Sequence, residues 1–318
     1  MRGSRRNLRN RNLALRISLK EERSEMDGAK ILANPDLREP VAEPPRAARN
    51  GYGHLELSQI QNQTQVTRSL ARQPLKLLSP KTTSPAASVY ATTLGGGLVA
   101  GDQIHLDLIA NENTTTFLTT QSATKVYRST NNQITRQSLH ATLKQNAMLI
   151  NWPDSVICFE KSNYEQHQIF NLHPAANLVI VDWQTSGRRA RGERWAFSRY
   201  QSRNEIFIDK HQILNDATLL DQEDSPINTP FRAGRFECLA TIILTGPALI
   251  PHIETIQTQI QSQPLQRRAT TLCSFSRLTS GAIIRLLTQS PEQAAQQIRA
   301  LLQPITHQLG NDPWSRKW

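Results

Sequence analysis

LGGGLVAGDQIHLDLIA, residues 94–110, places four glycines directly ahead of a segment in which Ile104, Leu106 and Leu108 alternate with more polar neighbours. A glycine run invites a phosphate-loop reading, and the spacing rules it out. A P-loop needs G-x-x-x-x-G-K-[ST] opening a helix, and a dinucleotide turn needs G-x-G-x-x-G opening a helix, because helix N-terminal amides hold the phosphates. Here Gly95, Gly96, Gly97 and Gly101 lead through Asp102 into a period of two, which is a strand. The cluster therefore lies between strands, and its glycines serve conformation: positive φ values, or close approach of another backbone, in a bulge or tight turn.

Outward from this stretch the same texture repeats. Short runs rich in β-branched and aromatic residues occur at 104–110, 115–120, 134–143, 148–152, 168–172, 178–183, 205–214 and 239–245, separated by Asn, Gly, Pro and Asp clusters. No helix-length amphipathic run interrupts them before residue 247. The fold expected is mainly β, with many short strands in a β-helical or sandwich-like stack, flanked by two C-terminal α-helices. The first helix, about 248–263, carries Leu249, Ile253, Ile256 and Ile260 on one stripe, read as core packing. The second, about 291–309, starts with Ser290 as N-cap, Pro291 in the first turn and Gln293 placed for a capping box, and it ends at Gly310. Pro304 predicts a kink or an early stop near Gln303.

The 318 residues suffice for a full core without a metal or disulfide staple. Cys158, Cys238 and Cys273 form no C-x-x-C pair, which suits a reducing compartment and buried apolar roles. The formal charge of +11 is concentrated at the start: residues 1–20 hold seven Lys or Arg and no acid, leaving 30 basic against 26 acidic residues in the rest. Residues 1–50 read as a basic, disordered leader ahead of a domain at 51–318, with Pro35, Pro40, Pro44 and Pro45 as a linker. The leader resembles a transit peptide or a nucleic-acid arm, and a functionless upstream extension with Met26 as the start is the favoured account. No apolar run approaches the roughly 18 residues of a membrane span, and a cytoplasmic location is expected.

Hydrolase chemistry finds no G-x-S-x-G elbow, and the eight histidines form no H-x-H or H-E-x-x-H pattern, although His167 and His173 lie six apart with Glu165 close by. Carboxylates are more informative. Asp102 closes the glycine turn, Asp182 sits inside the apolar run LVIVDW at 178–183, and Asp216 and Asp221 bracket another apolar segment. A carboxylate in so apolar a strand needs a partner or a wet cavity, since an uncompensated buried charge is costly. An ion pair with Arg188, Arg189 or Arg191 is the favoured reading, and an acceptor for a hard or borderline cation is the functional one. The stretch SGRRARGERWAFSRYQSR, 186–203, interleaves six arginines with Trp195, Phe197 and Tyr200, as single-strand nucleic-acid platforms do. Its plainer account, and the favoured one, is a solvated hairpin edge whose arginines pair with Glu193, Glu205 and Asp182. An RNA-binding β protein using this segment and the leader is kept as the alternative function.

Several of these stretches, in one order, resemble the urease accessory protein D family. They are RQPLKLL at 72–78, GGGLVAGD at 95–102, TTQSATKVYRS at 119–129, PDSVICF at 153–159 and VDWQTSGRRARGE at 181–193. The VDW-x-TSGR form and the preceding QIFNL are closest to plant and fungal members, whereas Ala100 stands where many members carry glycine. The resemblance implies a largely β, helix-flanked fold and a non-enzyme, a scaffold that helps load nickel into apo-urease with accessory protein F and the GTPase accessory protein G. It implies no permanently bound cofactor, with nickel(II) in transit through an internal passage lined by polar and acidic side chains. By motif, Asp102, Thr124 and Asp182 are carried over to that passage, and Asp216 joins them on spacing. Weak successive oxygen sites, instead of one complete coordination set, are what a transfer path requires.

Overall fold

The computed structural model describes residues 51–264 and 266–310; the basic leader, Met26 and the tail at 313–318 lie outside the described residues. Along the chain come strands β1 (Tyr52–Ile60), β2 (Gln63–Arg72), β3 (Leu75–Leu78), β4 (Ala87–Thr93), β5 (Gln103–Ala110), β6 (Thr115–Thr120), β7 (Thr124–Val126), β8 (Thr135–Leu143) and β9 (Met148–Asn151). Then follow β10 (Val156–Cys158), β11 (Asn163–Leu172), β12 (Asn177–Thr185), β13 (Arg199–Ile208), β14 (His211–Asp221) and β15 (Cys238–Thr245), helix α1 (Ile250–Gln261), β16 (Thr271–Leu278), β17 (Gly281–Thr288) and helix α2 (Pro291–Thr306).

From β4 to β13 the main strands alternate between two sheets, and successive visits to a sheet pair in parallel. One sheet runs β14-β13-β11-β8-β5-β1-β2 and the other β16-β17-β15-β12-β9-β6-β4-β3, with β10 bound to β12 and to β7. The parallel blocks are β1, β5, β8, β11 and β13 on one side, and β4, β6, β9 and β12 on the other. This is a two-sided β-solenoid whose faces pack as a sandwich, so the β-helical and sandwich-like descriptions both apply, with the two helices C-terminal as expected.

Alternation sorts the side chains into layers. Leu106 and Leu108 of β5, Leu139 and Ala141 of β8, and Phe170 of β11 meet Leu118, Leu149, Leu178 and Ile180 of the second sheet in the inter-sheet core. The opposite face of the second sheet, with Phe117, Ile150, Val179, Val181 and Ile242, is covered by Ile253 and Ile256 of α1 and by Ala294, Ile298, Leu301 and Ile305 of α2. Each such large aliphatic contributes about 1.5–3 kcal/mol on burial. Covered on both sides, β12 is buried at every position, which is why its sequence is an apolar run with no visible alternation.

Both glycine roles occur in the turn ahead of β5. Gly101 has φ +85°, a region that L side chains adopt only at a cost. Gly97 permits close approach: Leu98 exchanges backbone hydrogen bonds with Lys125 and Tyr127, each 2.8 Å, and a Cβ on Gly97 would lie 2.7 Å from the Lys125 carbonyl oxygen.

Three local expectations change. The segment 205–214 is a hairpin between β13 and β14, turning at Asp209 and Lys210, both at positive φ (48° and 68°). Ser290 does cap α2, accepting from the Gln293 amide at 3.2 Å, but the side-chain Oε1 of Gln293 is buried without a partner among the described residues, so the reciprocal half of a capping box is missing. The helix also runs through Pro304 to Thr306. So near the C-terminus a proline forfeits a single hydrogen bond, to the Ala300 carbonyl, and burial of Leu302 and Ile305 holds the turn.

Candidate functional site

At one level of the solenoid the inter-sheet core stops being apolar. The residues that continue the inward-facing rows there are Gln137 on β8, Gln166 and Gln168 on β11, and Ser202 and Asn204 on β13. On the opposite wall stand Asn151 on β9 and Asp182 on β12. Register places them together: Gln166 is the cross-strand partner of Gln137 and of Ser202, and Gln168 that of Asn204. Neutral amides form a directed relay. Asn151 Nδ2 donates to Gln168 Oε1 (2.7 Å), Gln168 Nε2 to Asn204 Oδ1 (2.8 Å), and Asn204 Nδ2 to Asp182 Oδ2 (3.0 Å). Asp182 is the anionic end of that chain. It also accepts from Gln166 Nε2 (3.1 Å), the Ser202 hydroxyl and Tyr200 OH (3.4 Å).

Every one of these partners is uncharged, and the expected arginine ion pair is not formed among the described residues. Arg188 instead pairs with Glu193 and Arg203 with Glu205. The reason is geometric: Asp182 shares the inward face with Leu178 and Ile180, whereas Arg188 and Arg189 follow in the loop beyond β12. Burial pushes the Asp182 carboxyl above the usual carboxylate range; the Ser202, Asn204 and Gln166 donors act the other way, and the nearby Asp216 adds to the rise.

A cavity of about 100 Å³ adjoins the relay, lined among others by Gln137, Asn151, Gln166 and Gln168, with Thr120, Thr124 and Asp154 where it meets partly exposed positions. Thr120 Oγ1 donates to Asp154 Oδ2 at 3.2 Å. Thr124 thus stands at the mouth of the same polar layer. Asp216, on β14, is the register partner of Asn204, so it extends the layer beyond Asp182. It is neutralised by Arg285 of β17, which also donates to Thr241 Oγ1 at 3.0 Å. Asp102 does not line this cavity: its carboxylate accepts the Val99 amide at 2.9 Å and closes the glycine turn. The polar layer beside this cavity offers carboxamide, hydroxyl and carboxylate oxygens, weak ligands for a hard or borderline divalent cation, while much of the cavity wall itself is apolar, with Leu75, Ile104, Leu106, Leu118, Leu139 and Val156.

The arginine-rich segment resolves only in part toward its plainer account: Arg188 pairs with Glu193 and Arg203 with Glu205, but no arginine among the described residues pairs with Asp182, and β13 is an inner strand between β11 and β14 instead of a solvated edge. Trp195, Phe197 and Tyr200 are 1%, 0% and 2% exposed, which leaves no ring free to stack on a base. Cys158 and Cys238 are buried and Cys273 half-buried; burial pushes the first two thiols up to about 12 and the third to about 11, so none is poised as a thiolate ligand. Sequence reasoning missed Asn151, Gln137, Gln166, Gln168 and Asn204. Polar residues at alternate positions of β11 and β13 were the available signal, and they were indistinguishable from solvent-facing ones. Among the described residues no helix is long and apolar enough to cross a membrane.

Comparison with known proteins fits this architecture. The profile of the family described as UreD urease accessory protein matches residues 49–318. The chain is 40% identical over 274 residues to the urease accessory protein UreD of Sorangium cellulosum (strain So ce56), covering 86% of each. It is 32% identical over 296 residues to urease accessory protein D of Oryza sativa subsp. indica, with 84% of this chain and 96% of the rice protein covered. Against urease accessory protein 4 of Cryptococcus neoformans var. grubii the identity is 28% over 323 residues, covering 88% and 98%. Since the profile spans the whole described stack and both helices, and the relatives include bacterial, plant and fungal proteins, the chain belongs to the UreD urease accessory protein family.

Proposed function

We propose that this chain is a urease maturation scaffold that helps insert nickel into apo-urease, acting with accessory proteins F and G and offering the inter-sheet polar layer as a passage for the ion. It works by binding and conducting, not by catalysing a reaction, and it holds no permanent cofactor. The observation that carries the reading is the environment of Asp182, a buried carboxylate held by neutral amides and hydroxyls. A carboxylate kept for stability is commonly matched with a cation, because desolvation of an unmatched charge is expensive. Here the charge is left available, and the oxygens around it belong to side chains that can rotate toward a passing ion. Thr124 and Asp154 stand at the entry. Beyond Asp182 the Asp216–Arg285 pair places a guanidinium across the layer, which disfavours onward movement of a cation in that direction.

The test is urease co-expressed with the accessory proteins and either this chain or its Asp182→Ala variant, with nickel per urease active site and urease activity both measured. The variant is expected to co-purify with accessory protein F at wild-type yield while nickel loading falls at least several-fold. Wild-type loading would count against a passage through this layer. Loss of co-purification together with a lowered melting temperature would mark Asp182 as a folding determinant.

A further inference from the structure

The polar layer faces inward; on the opposite face of the seven-stranded sheet a second group of potential ligands converges. We propose that His105, Asp107 and His140 form a binding site for a borderline divalent transition metal, of the Zn²⁺, Co²⁺ or Ni²⁺ class, on the outer face of that sheet and separate from the inter-sheet passage. The H-x-D spacing of His105 and Asp107 on β5 puts both side chains on one face, opposite to Leu106 and Leu108 in the core. His140 on β8 is the cross-strand partner of Asp107. One ligand atom from each of the three lies within 4.8 Å of the others.

The distances suit an ion. His105 Nε2 is 2.8 Å and His140 Nδ1 3.9 Å from the same oxygen, Asp107 Oδ1. Metal bonds of about 2.0–2.1 Å in a tetrahedral shell imply ligand–ligand separations of about 3.4 Å, a value between the two, reached by small side-chain rotations. Two imidazole nitrogens and one carboxylate oxygen favour borderline metals over Mg²⁺ or Ca²⁺. Three protein ligands leave at least one position to water.

The surroundings hold these ligands as outer hydrogen bonds do in metal centres. His105 Nδ1 is 2.7 Å from Ser138 Oγ, whose hydroxyl lies 3.4 Å from the Ile104 carbonyl. With Nδ1–H donating along that line, the lone pair of Nε2 faces Asp107 Oδ1, and a proton or a cation has to stand between them. Tyr52 OH donates to the other carboxylate oxygen, Oδ2, at 2.9 Å, and the Tyr52 ring stacks on His105 at an 11° interplanar angle. An independent observation points the same way. On β1, the partner of Asp107 in register is His54, and its Nε2 is buried with no hydrogen-bond partner among the described residues. A buried nitrogen left unsatisfied on the strand next to the cluster is a cost that a nearby ligand relieves.

The full chain, freed of metal with a chelator and dialysed, is titrated with Co²⁺ and followed by its visible ligand-field absorption, then with Zn²⁺ in competition. The expected result is one equivalent whose spectrum reports nitrogen and oxygen ligands. His140→Ala, a substitution at a half-exposed position, and Asp107→Asn should each weaken that equivalent at least tenfold, with unchanged melting temperatures of the metal-free proteins. Tyr52→Phe should weaken it less, since it removes an orienting bond and no ligand. Asp182→Asn should bind as wild type, which separates this site from the proposed passage. Wild-type affinity and spectrum in both His140→Ala and Asp107→Asn would overturn the assignment, as would a wild-type chain that binds no Co²⁺.

Discussion

Asp182 shows what a buried charge costs when its partners are neutral. Its folded pKa lies above that of an unfolded aspartate, with burial as the largest cause. A raised carboxylate binds its proton more tightly in the folded state, so its contribution to stability is fully present below the unfolded pKa and is lost as pH rises through the folded one. Denaturant unfolding at a series of pH values should therefore show wild-type stability declining across that window. Asp182→Asn should show a smaller decline there, because the group that titrates is gone. Equal slopes for the two proteins would mean that Asp182 is ionised in both states alike. In the proposed passage, a reluctant anion would gain more from meeting a cation than one already matched to an arginine.

Among the elements, the glycine turn gives the most direct test. Gly97→Ala forces a Cβ against the Lys125 carbonyl, a backbone atom that cannot rotate away. Overpacking of this kind costs about 1–3 kcal/mol, and the loss should appear as a lower denaturation midpoint with an unchanged denaturant slope. This turn was legible because glycine reports backbone geometry locally, and Asp182 was legible because a charge inside LVIVDW contradicts its surroundings. The hairpin at 209–210 was not, since Asp-Lys carries none of the Asn-Gly or Gly-X signal of a two-residue turn. Strands β16 and β17 were missed between the two helices, as were β1 to β4 ahead of the glycine turn. In β16, serines and an arginine among the apolar residues leave half-exposed edge character with weak alternation. The relay around Asp182 was beyond reach for a different reason. Its members come from four strands, and which amide meets which is fixed by inter-strand register, a property that no single segment encodes. His105 and Asp107 were visible as H-x-D, but their third member is thirty-odd residues away and joins them through that same register.

The described domain is a stack whose middle is covered twice. Strand β12 has the first sheet on one face and the helices on the other, whereas β2 and β14 present mostly exposed or half-exposed residues. Hydrogen exchange should therefore be graded: β12 and β15 amides are expected to exchange only through global unfolding, and those of β2, β14 and β16 through local opening orders of magnitude faster. Uniform protection across both sheets would contradict a core centred on β12.

The arrangement of parallel and antiparallel pairs has one more consequence. A coil of parallel strands has no internal rule for stopping, because its last rung offers the same unpaired backbone edge as the one before and could template another chain into a growing fibre. In this protein each sheet breaks the parallel repeat on both sides: β2 and β14 reverse direction against β1 and β13, and β3 and β15 do so against β4 and β12, with β17 and β16 continuing antiparallel beyond β15. The reversals act as terminators. They set how many rungs one chain contributes, and they leave edges carrying residues such as Arg68, Arg72, Lys76 and His211 that oppose end-to-end addition.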